Sequence, residues 1–405
     1  MNYLRQIDVS GKKVLLRAEF NVSLDENNKV IDDFRIRSTI PTIKYLLEKN
    51  CRIIIMAHLG RPSSQELARP RQAEGEVGGV RKQELEKFSL ASVAEKLSEL
   101  TGKNVGLAPD CIGQEVLDRV EKLKNGEILL LENLRFHEEE EKNDKDFARS
   151  LAELGEVYIN DAFGVSHRAH ASVEAITEFL PSGAGFLLEK EILNLTRVKE
   201  SPEHPFVAIL GGSKISSKLK VIGIFLDQAD RIILGGALAN TLLYAKGFSV
   251  GASLVEKEAV FDSERILRSE KILLPQDAIV CINPEGKGGY KIGPVGQTPN
   301  NEMILDIGPK TEEEFVKIIS GAKTVVWNGP MGLFEKEYFA HGTEAIARSV
   351  AESPAFSVVG GGETVAFLEK LGLVDKFDFV STGGGAMMEF LAGEKLPGLE
   401  ALERN

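Results

Sequence analysis

At 405 residues the chain exceeds what one compact core organises, so two domains are expected. A formal net charge of −12 excludes the basic footprint of a general nucleic-acid binder, while 43% hydrophobic and 27% charged residues are ordinary for a globular protein. An anionic ligand must therefore be held by locally gathered Arg, Lys or His, against the overall field. Cys51, Cys111 and Cys281 are widely spaced, odd in number and lack a C-x-x-C pair, which predicts free, buried thiols in a reducing compartment. The N-terminal MNYLRQIDVSGKK has no apolar signal core, and no apolar run approaches the ~20 residues of a membrane helix. No membrane association and a cytoplasmic location are expected.

In the first half, apolar runs at Val14–Leu16, Arg52–Met56, Asn104–Leu107, Glu127–Leu131 and Glu156–Ile159 predict buried strands. Helical patterns at Thr39–Lys49, Leu90–Leu100 and Asp144–Leu154 lie between them. This alternation predicts a parallel sheet with helices on both faces and ligands beyond the carboxyl ends of the strands. The segments after the strands share one chemistry. Arg17, Glu19 and Asn21 follow the first; His58, Arg61 and Pro62 follow the second. Glu132, Asn133, Arg135 and His137 follow the fourth, and Asn160, Asp161, Phe163, His167, Arg168 and His170 follow the fifth. Arg35 and Arg37 fall in a turn, DDFRIRST, leading into the Thr39 helix. Taken singly, each Arg reads as a surface ion pair. Delivered together to one sheet edge, guanidinium groups suit a small ligand carrying phosphate and carboxylate. His167 and His170 lack companions that would complete a zinc set, so they read as hydrogen-bonding or core histidines. Ser63–Lys87 reads as a partly mobile surface insertion. The acidic run Glu138–Glu141 reads as a solvated loop and helix entry, capped by Asn143 or Asp144.

Pro181, Gly183 and Gly185 then punctuate the chain, and Phe186–Lys199 reads as one helix with Leu188, Ile192 and Leu195 on a shared face. Pro202 and Pro205 end this candidate interdomain helix. In FVAILGGSKISSKLKVI, residues Phe206–Ile222, a strand over Val207–Leu210 meets a turn at Gly211 and Gly212. A helix can open at Ser213, with Lys214, Lys218 and Lys220 close behind. Free N–H groups and the helix dipole make such a turn an anion site, yet alone it reads equally as a plain glycine turn; the P-loop spacing is absent. Glycine loops recur at Leu210–Gly212, Leu234–Ala237, Trp327–Gly332, Val359–Thr364 and Ser381–Ala386. Five in one half-chain suit a polyphosphate approached by backbone amides, with a slot for a flat base. No run matches G-x-G-x-x-G, so a mononucleotide fits better than a dinucleotide. Glu335 suits ribose hydroxyls and Glu363 suits Mg²⁺, although each equally suits a helix N-terminus. Pro275–Asp306 is Gly/Pro-rich and gives no regular pattern. Arginines and histidines in one half, glycine loops and lysines in the other, imply phosphoryl transfer across a cleft. A carboxylate acceptor needs no general base, because it is already ionised at neutral pH.

The segments KKVLLRAEFNV, RIRSTIPTI, HLGRP, LLENLRFHEEE, NDAFGVSHRAHAS, GGSKISSKL, LDIGP, VVWNGPMGLFE, GGGETVAFLEKLG, STGGGA and LPGLEAL, in this order, resemble the phosphoglycerate kinase family over essentially the whole chain. The resemblance implies reversible transfer between 1,3-bisphosphoglycerate and ADP, giving 3-phosphoglycerate and MgATP. It implies an α/β fold of two doubly wound parallel-sheet domains of similar size, separated by a cleft and joined by an interdomain helix. The domains would be 1–185 with a returning tail at about 388–405, the helix 186–200, and 201–387. Substrate would be bound by Glu19, Asn21, Arg35, His58, Leu59, Gly60, Arg61, Arg135 and Arg168. Arg35, Lys214, Lys218 and Gly384 (within Gly383–Gly385) would serve the transferring phosphoryl group. Nucleotide would be bound by Gly211, Gly212, Lys214, Lys218, Gly235, Gly236, Asn328, Glu335, Gly361, Gly362, Glu363 and Thr364, with Glu363 toward Mg²⁺. A monomer closing by a hinge to exclude water is implied. Three positions depart from the family. Glu19 and Glu363 stand where Asp is usual, each one methylene longer, and Ser217 stands where many members have Asp and some carry Ser or Thr. The competing expectations are a catalytically weakened nucleotide-binding relative and another ATP-dependent carboxylate kinase.

Overall fold

A computed structural model describes residues 1–62, 87–260, 264–287 and 289–404; all of the Ser63–Lys87 stretch except its last residue lies outside them. The chain divides into two compact units, Met1–Ile192 with Lys395–Asn405, and Leu193–Glu394. Among the described residues no helix is long and apolar enough to cross a membrane.

Unit 1 is built on six strands: β1 (Lys13–Ala18), β2 (Arg52–Met56), β3 (Val105–Leu107), β4 (Ile128–Leu130), β5 (Val157–Asp161) and β6 (Ser182–Ala184). They form one parallel sheet in the order β3-β4-β2-β1-β5-β6. The near-continuous apolar runs of β1, β2 and β5 are buried, as a sheet covered on both faces requires. β1 is flanked by β2 on one side and β5 on the other, so the strand order reverses there and opens a crevice beyond their carboxyl ends.

Several boundaries differ from the sequence reading. The first helix runs Phe34–Glu48, so Arg35 and Arg37 occupy its first turn and not a turn before it. Its buried stripe already starts at Ile36, and Asp32 accepts from Phe34 N at 2.8 Å. β1 contains Arg17, and β5 contains Asn160 and Asp161 as buried strand residues. Pro181–Gly185 is no mere punctuation, since Ser182–Ala184 is the edge strand β6. A Cβ at Gly183 would collide with Ile7, so glycine there lets the N-terminal segment cross that edge. Glu138–Glu141 is a helical turn with Glu138, Glu139 and Glu141 solvated as expected, but Glu140 is 1% exposed and accepts from Ser172 N and Oγ at 2.9 and 2.6 Å. Asp144 caps the following helix, Lys145–Ala152. The C-terminal helix Pro397–Glu403 belongs to unit 1, where Gly398 N donates to Ser166 O at 2.9 Å.

Unit 2 carries β7 (Phe206–Leu210), β8 (Arg231–Leu234), β9 (Ser249–Val250), β10 (Ile272–Leu273), β11 (Asp277–Cys281), β12 (Lys291–Pro294), β13 (Gln297–Thr298), β14 (Met303–Ile307), β15 (Thr324–Asn328), β16 (Phe356–Gly360) and β17 (Phe379–Val380). Its main sheet is parallel, in the order β10-β8-β7-β15-β16-β17, with a reversal between β8 and β15 around β7. Pro275–Asp306 is not irregular: β12-β11-β14 form an antiparallel sheet, and β13 pairs with β9. The pattern was hidden because β12 is almost wholly exposed and β11 carries a bulge at Ile279/Val280, so neither gives a clean alternation. The helix Phe186–Glu200 spans the point where the two units divide. Cys51, Cys111 and Cys281 are free and buried.

Candidate active site

At the carboxyl edge of the unit 1 sheet, the arginines act on one another and on shared neighbours. Arg17 is 1% exposed and fully engaged: Nε donates to Ser172 Oγ at 2.9 Å, Nη1 to Ala18 O, and Nη2 meets His58 Nδ1 at 3.2 Å. It anchors the site. Burial, then Arg17, Arg135, His170 and Arg35, hold the His58 imidazole well below its ordinary pKa, so it is a neutral hydrogen-bonding group. His170 is pushed down to about 3 by burial and by Arg17, Arg135 and Arg168. His167 is pushed down to about 4 by burial and Arg168. These neutral rings fit the expectation of hydrogen-bonding or core histidines. Arg135 is buried, with Nη1 donating to Gly60 O at 2.9 Å and Nη2 3.5 Å from Glu141. Burial lowers its pKa too, helped by Arg17, Arg168 and Arg61.

The loops that present these groups are tied together. Asn21 Oδ1 accepts from Gly60 N at 2.9 Å, and Asn21 O accepts from Arg35 Nη1. Leu59 O accepts from Asn133 Nδ2 at 2.7 Å, and Asn133 Oδ1 accepts from Arg135 N at 3.0 Å. Arg168 Nε meets His167 Nε2 at 3.2 Å, while Arg61 is exposed. Glu19 is 3% exposed, and its Oε2 has no partner among the described residues. Thus Glu19, Asn21, Arg35, His58, Leu59, Gly60, Arg61, Arg135 and Arg168 all belong to unit 1, most of them joined by direct bonds or mutual electrostatic influence. His137 differs: its Nε2 lies 2.7 Å from Asp110 Oδ1 and its ring stacks on Phe147. Sequence reasoning missed the anchoring roles of Asn133 and Ser172, for which no local periodicity gives a signal.

In unit 2 a slot of about 840 Å³, open solvent included, has apolar walls from Ala237, Leu254, Met303, Leu305, Met331 and Leu333. Glu335 and Glu363 stand along it. A second pocket shares Gly212, Ser213 and Glu363 with the slot and adds Lys214, Lys218, Asn328, Gly361, Gly362 and Thr364. A third shares Lys218, Asn328, Gly361 and Gly362 and adds Gly384 and Gly385. The helix after Gly211 and Gly212 opens at Leu219, not Ser213, because Ile215 is buried and Ser216 is tied to Glu256. Lys218 therefore sits at the cap, and its Nζ donates to Gly211 O at 2.6 Å and Asn328 O at 2.9 Å. Burial pushes its pKa down to about 8, against the opposing pull of Glu363. Lys214 is exposed, and Lys220 is paired with Glu394 at 2.6 Å.

Three other glycine loops do open helices: Gly236–Ala245, Gly362–Lys370 and Gly384–Leu391. Their caps, Gly235, Gly361 and Gly383, carry no capping side chain. In the first helix Gly236 N and Leu238 N already donate to Met331 O and Gly212 O, so the starts that suit an anion are those at Gly362 and Gly384. A Cβ at Gly384 would come within 3.1 Å of Gly361 Cα, so two of these helix starts lie side by side. A Cβ at Gly211 would collide with Pro330 O, so only glycine lets the Trp327–Gly332 loop close against this turn. Asn328 Nδ2 donates to Gly360 O at 3.0 Å, and Thr364 Oγ1 accepts from Gly329 N at 2.9 Å. Glu363 is exposed and supplies the one carboxylate lining the second pocket among the described residues. A single hard oxygen donor beside a pocket lined by lysines and glycines fits Mg²⁺, which takes few protein carboxylates and completes its shell with phosphate oxygens and water.

Comparison with known proteins agrees with this chemistry. The family model described as phosphoglycerate kinase matches residues 4–394. A phosphoglycerate kinase of Pelotomaculum thermopropionicum is 48% identical over 404 residues, covering 98% of each chain. A cytosolic phosphoglycerate kinase of Triticum aestivum is 46% identical over 409 residues, covering 99% of this chain and 97% of that one. The solved phosphoglycerate kinase of Pyrococcus horikoshii superposes with a TM-score of 0.85 at 33% identity, covering 100% of this chain and 98% of that one. The chain belongs to the phosphoglycerate kinase family, and its reaction is phosphoryl transfer to and from a carboxyl group, interconverting 1,3-bisphosphoglycerate and ADP with 3-phosphoglycerate and ATP.

Proposed function

We propose that the basic edge of unit 1 takes the phosphoglycerate and that the slot and adjoining pockets of unit 2 take the nucleotide with Mg²⁺. The observation that carries this is the contrast in charge compensation. Arg17, Arg35, Arg61, Arg135 and Arg168 all depress the pKa of neighbouring groups, while among the described residues the carboxylates that answer them are Glu141, 3.5 Å from Arg135, and Glu140, 3.8 Å from His170. Such a cluster is relieved by a ligand with its own phosphate and carboxylate. This is why an unphosphorylated acid fits less well.

On this reading Arg168, Arg135, Arg61, His58, Asn21 and the Leu59–Gly60 backbone hold the phosphoglycerate. The unpartnered Glu19 Oε2 accepts from its hydroxyl. The apolar slot takes the base, Gly211, Gly212, Gly235 and Gly236 let it approach the backbone, and Glu335 binds ribose. Lys214, Lys218, Asn328, Gly361, Gly362 and Thr364 surround the phosphates. In the direction of ATP use, a carboxylate oxygen attacks the γ-phosphorus, the new O–P bond forms as the bond to the β-phosphate oxygen breaks, and ADP leaves. Arg35, Lys218 and the amides of Gly383–Gly385 stabilise charge on the transferring group, with no proton to move. Mg²⁺, when bound near Glu363, neutralises charge on the nucleotide phosphates. The free thiols and the cytosolic relative support a cytoplasmic enzyme; sedimentation velocity tests the expected monomer. The site assignment is tested by steady-state kinetics with 3-phosphoglycerate, ATP and Mg²⁺. Arg168→Ala raises only the KM for 3-phosphoglycerate and Glu335→Gln only that for ATP; the reverse pattern overturns it.

A further inference from the structure

Asp306, in the LDIGP segment at the end of β14, has no part in the assignment above. We propose that it is the positioning residue of the nucleotide slot, its carboxylate fixing the Met331–Glu335 wall and through it Glu335. This deepens the nucleotide reading of unit 2 and rests on it.

The side chain is 1% exposed and bonded on both oxygens. Oδ1 accepts from Ile307 N at 2.9 Å, and Oδ2 accepts from Gly342 N at 2.9 Å. Gly342 lies in the first turn of the helix His341–Glu352, whose cap residue Ala340 offers no capping group. Asp306 supplies that cap from another element. The same carboxylate is wedged against the wall of the slot, because a Cβ at either Gly332 or Gly342 would collide with Oδ1. From this helix start the bonds run straight to the slot. Thr343 Oγ1 accepts from Met331 N at 3.0 Å, and Met331 O accepts from Gly236 N at 2.8 Å. Leu333 N donates to Leu305 O at 2.8 Å, which ties the wall to Asp306's own strand.

A Ser or Asp at position 340, itself 8% exposed, would cap this helix locally. A buried carboxyl does it instead, with burial raising its pKa and the N–H groups of Gly342 and Ile307 opposing that rise. What the costlier cap adds is registration: β14, the helix and the wall share one hydrogen-bonded joint.

The test is steady-state kinetics of full-length Asp306→Asn, which keeps one acceptor oxygen but cannot accept from both N–H groups. The KM for ATP rises about tenfold, while the KM for 3-phosphoglycerate stays within about twofold and kcat falls less than KM rises. Glu335→Gln then costs less in the Asp306→Asn background than in the wild type, since the residue it removes is already misplaced. An unchanged KM for ATP, or independent multiplicative effects of the two substitutions, overturns the proposal. If Asp306→Asn does not fold, Thr343→Val removes the next link isosterically and gives the same KM split; equal loss toward both substrates overturns the inference. A wild-type protein without ATP-saturable turnover removes the nucleotide reading and this inference together. Normal wild-type turnover with an unchanged KM in Asp306→Asn removes this inference alone.

Discussion

Around His58 in unit 1, positive potential is carried by side chains: Arg17, Arg35 and Arg135 all bear on one buried, neutral imidazole. In unit 2 it is carried largely by main chain, through helix starts at Gly362 and Gly384, with Lys218 held between two carbonyls. The two designs fail differently. Long guanidinium arms must be braced, so unit 1 buries Ser172, Asn133 and Glu140 behind them. A main-chain site needs no bracing arms but admits no side chain, so a single Cβ at Gly211 closes it.

The largest effects test whether both designs serve one transferring group. Arg35→Ala and Lys218→Ala each lower kcat by about two to three orders of magnitude with the fold retained by circular dichroism. Near-normal kcat in either removes that residue from the role. Next, Gly211→Ala loses nucleotide binding in calorimetry and destabilises unit 2 by roughly 1–3 kcal/mol, because a backbone carbonyl must move. Binding of 3-phosphoglycerate to unit 1 persists, and its parallel loss would blur the distinction between the two designs.

A third prediction uses pH. Arginine stays charged throughout, whereas Lys218, at about 8, is cationic below that pH and neutral above it. The value of kcat/KM for nucleotide therefore falls as pH rises through about 8. In a slower Lys218→Arg variant that fall disappears, and a wild-type profile flat to pH 10 would contradict this account. The smallest effect is expected of Glu363→Asp, which leaves activity intact or improves it, because one exposed carboxylate is retained. Complete loss would mean the loop is built around Glu.

Much of this arrangement is legible in the sequence. Strand cores in parallel sheets are apolar runs, so β1, β2, β5 and β7 stood out. The arginines and glycines clustered where those runs end, and the order of motifs pointed to the family. The antiparallel strands of 277–307 were not legible, since exposed β12 and bulged β11 break the alternation that marks a strand. Nor was the helix start after Gly212, which depends on Ser216 meeting Glu256 forty positions away.

By itself the sequence determined which residue types stand at the strand ends, and hence that arginines gather in one half and glycine loops in the other. Those are local properties, set by period and by what a glycine permits. Only the tertiary structure decided which groups are free. Arg17 looked like its neighbours until its Nε was found on Ser172, 155 positions on, and Asp306 looked like a strand terminus until it met the helix at Gly342. Hydrogen-bond partners that distant leave no local periodicity, because each is fixed by where the fold brings two segments together.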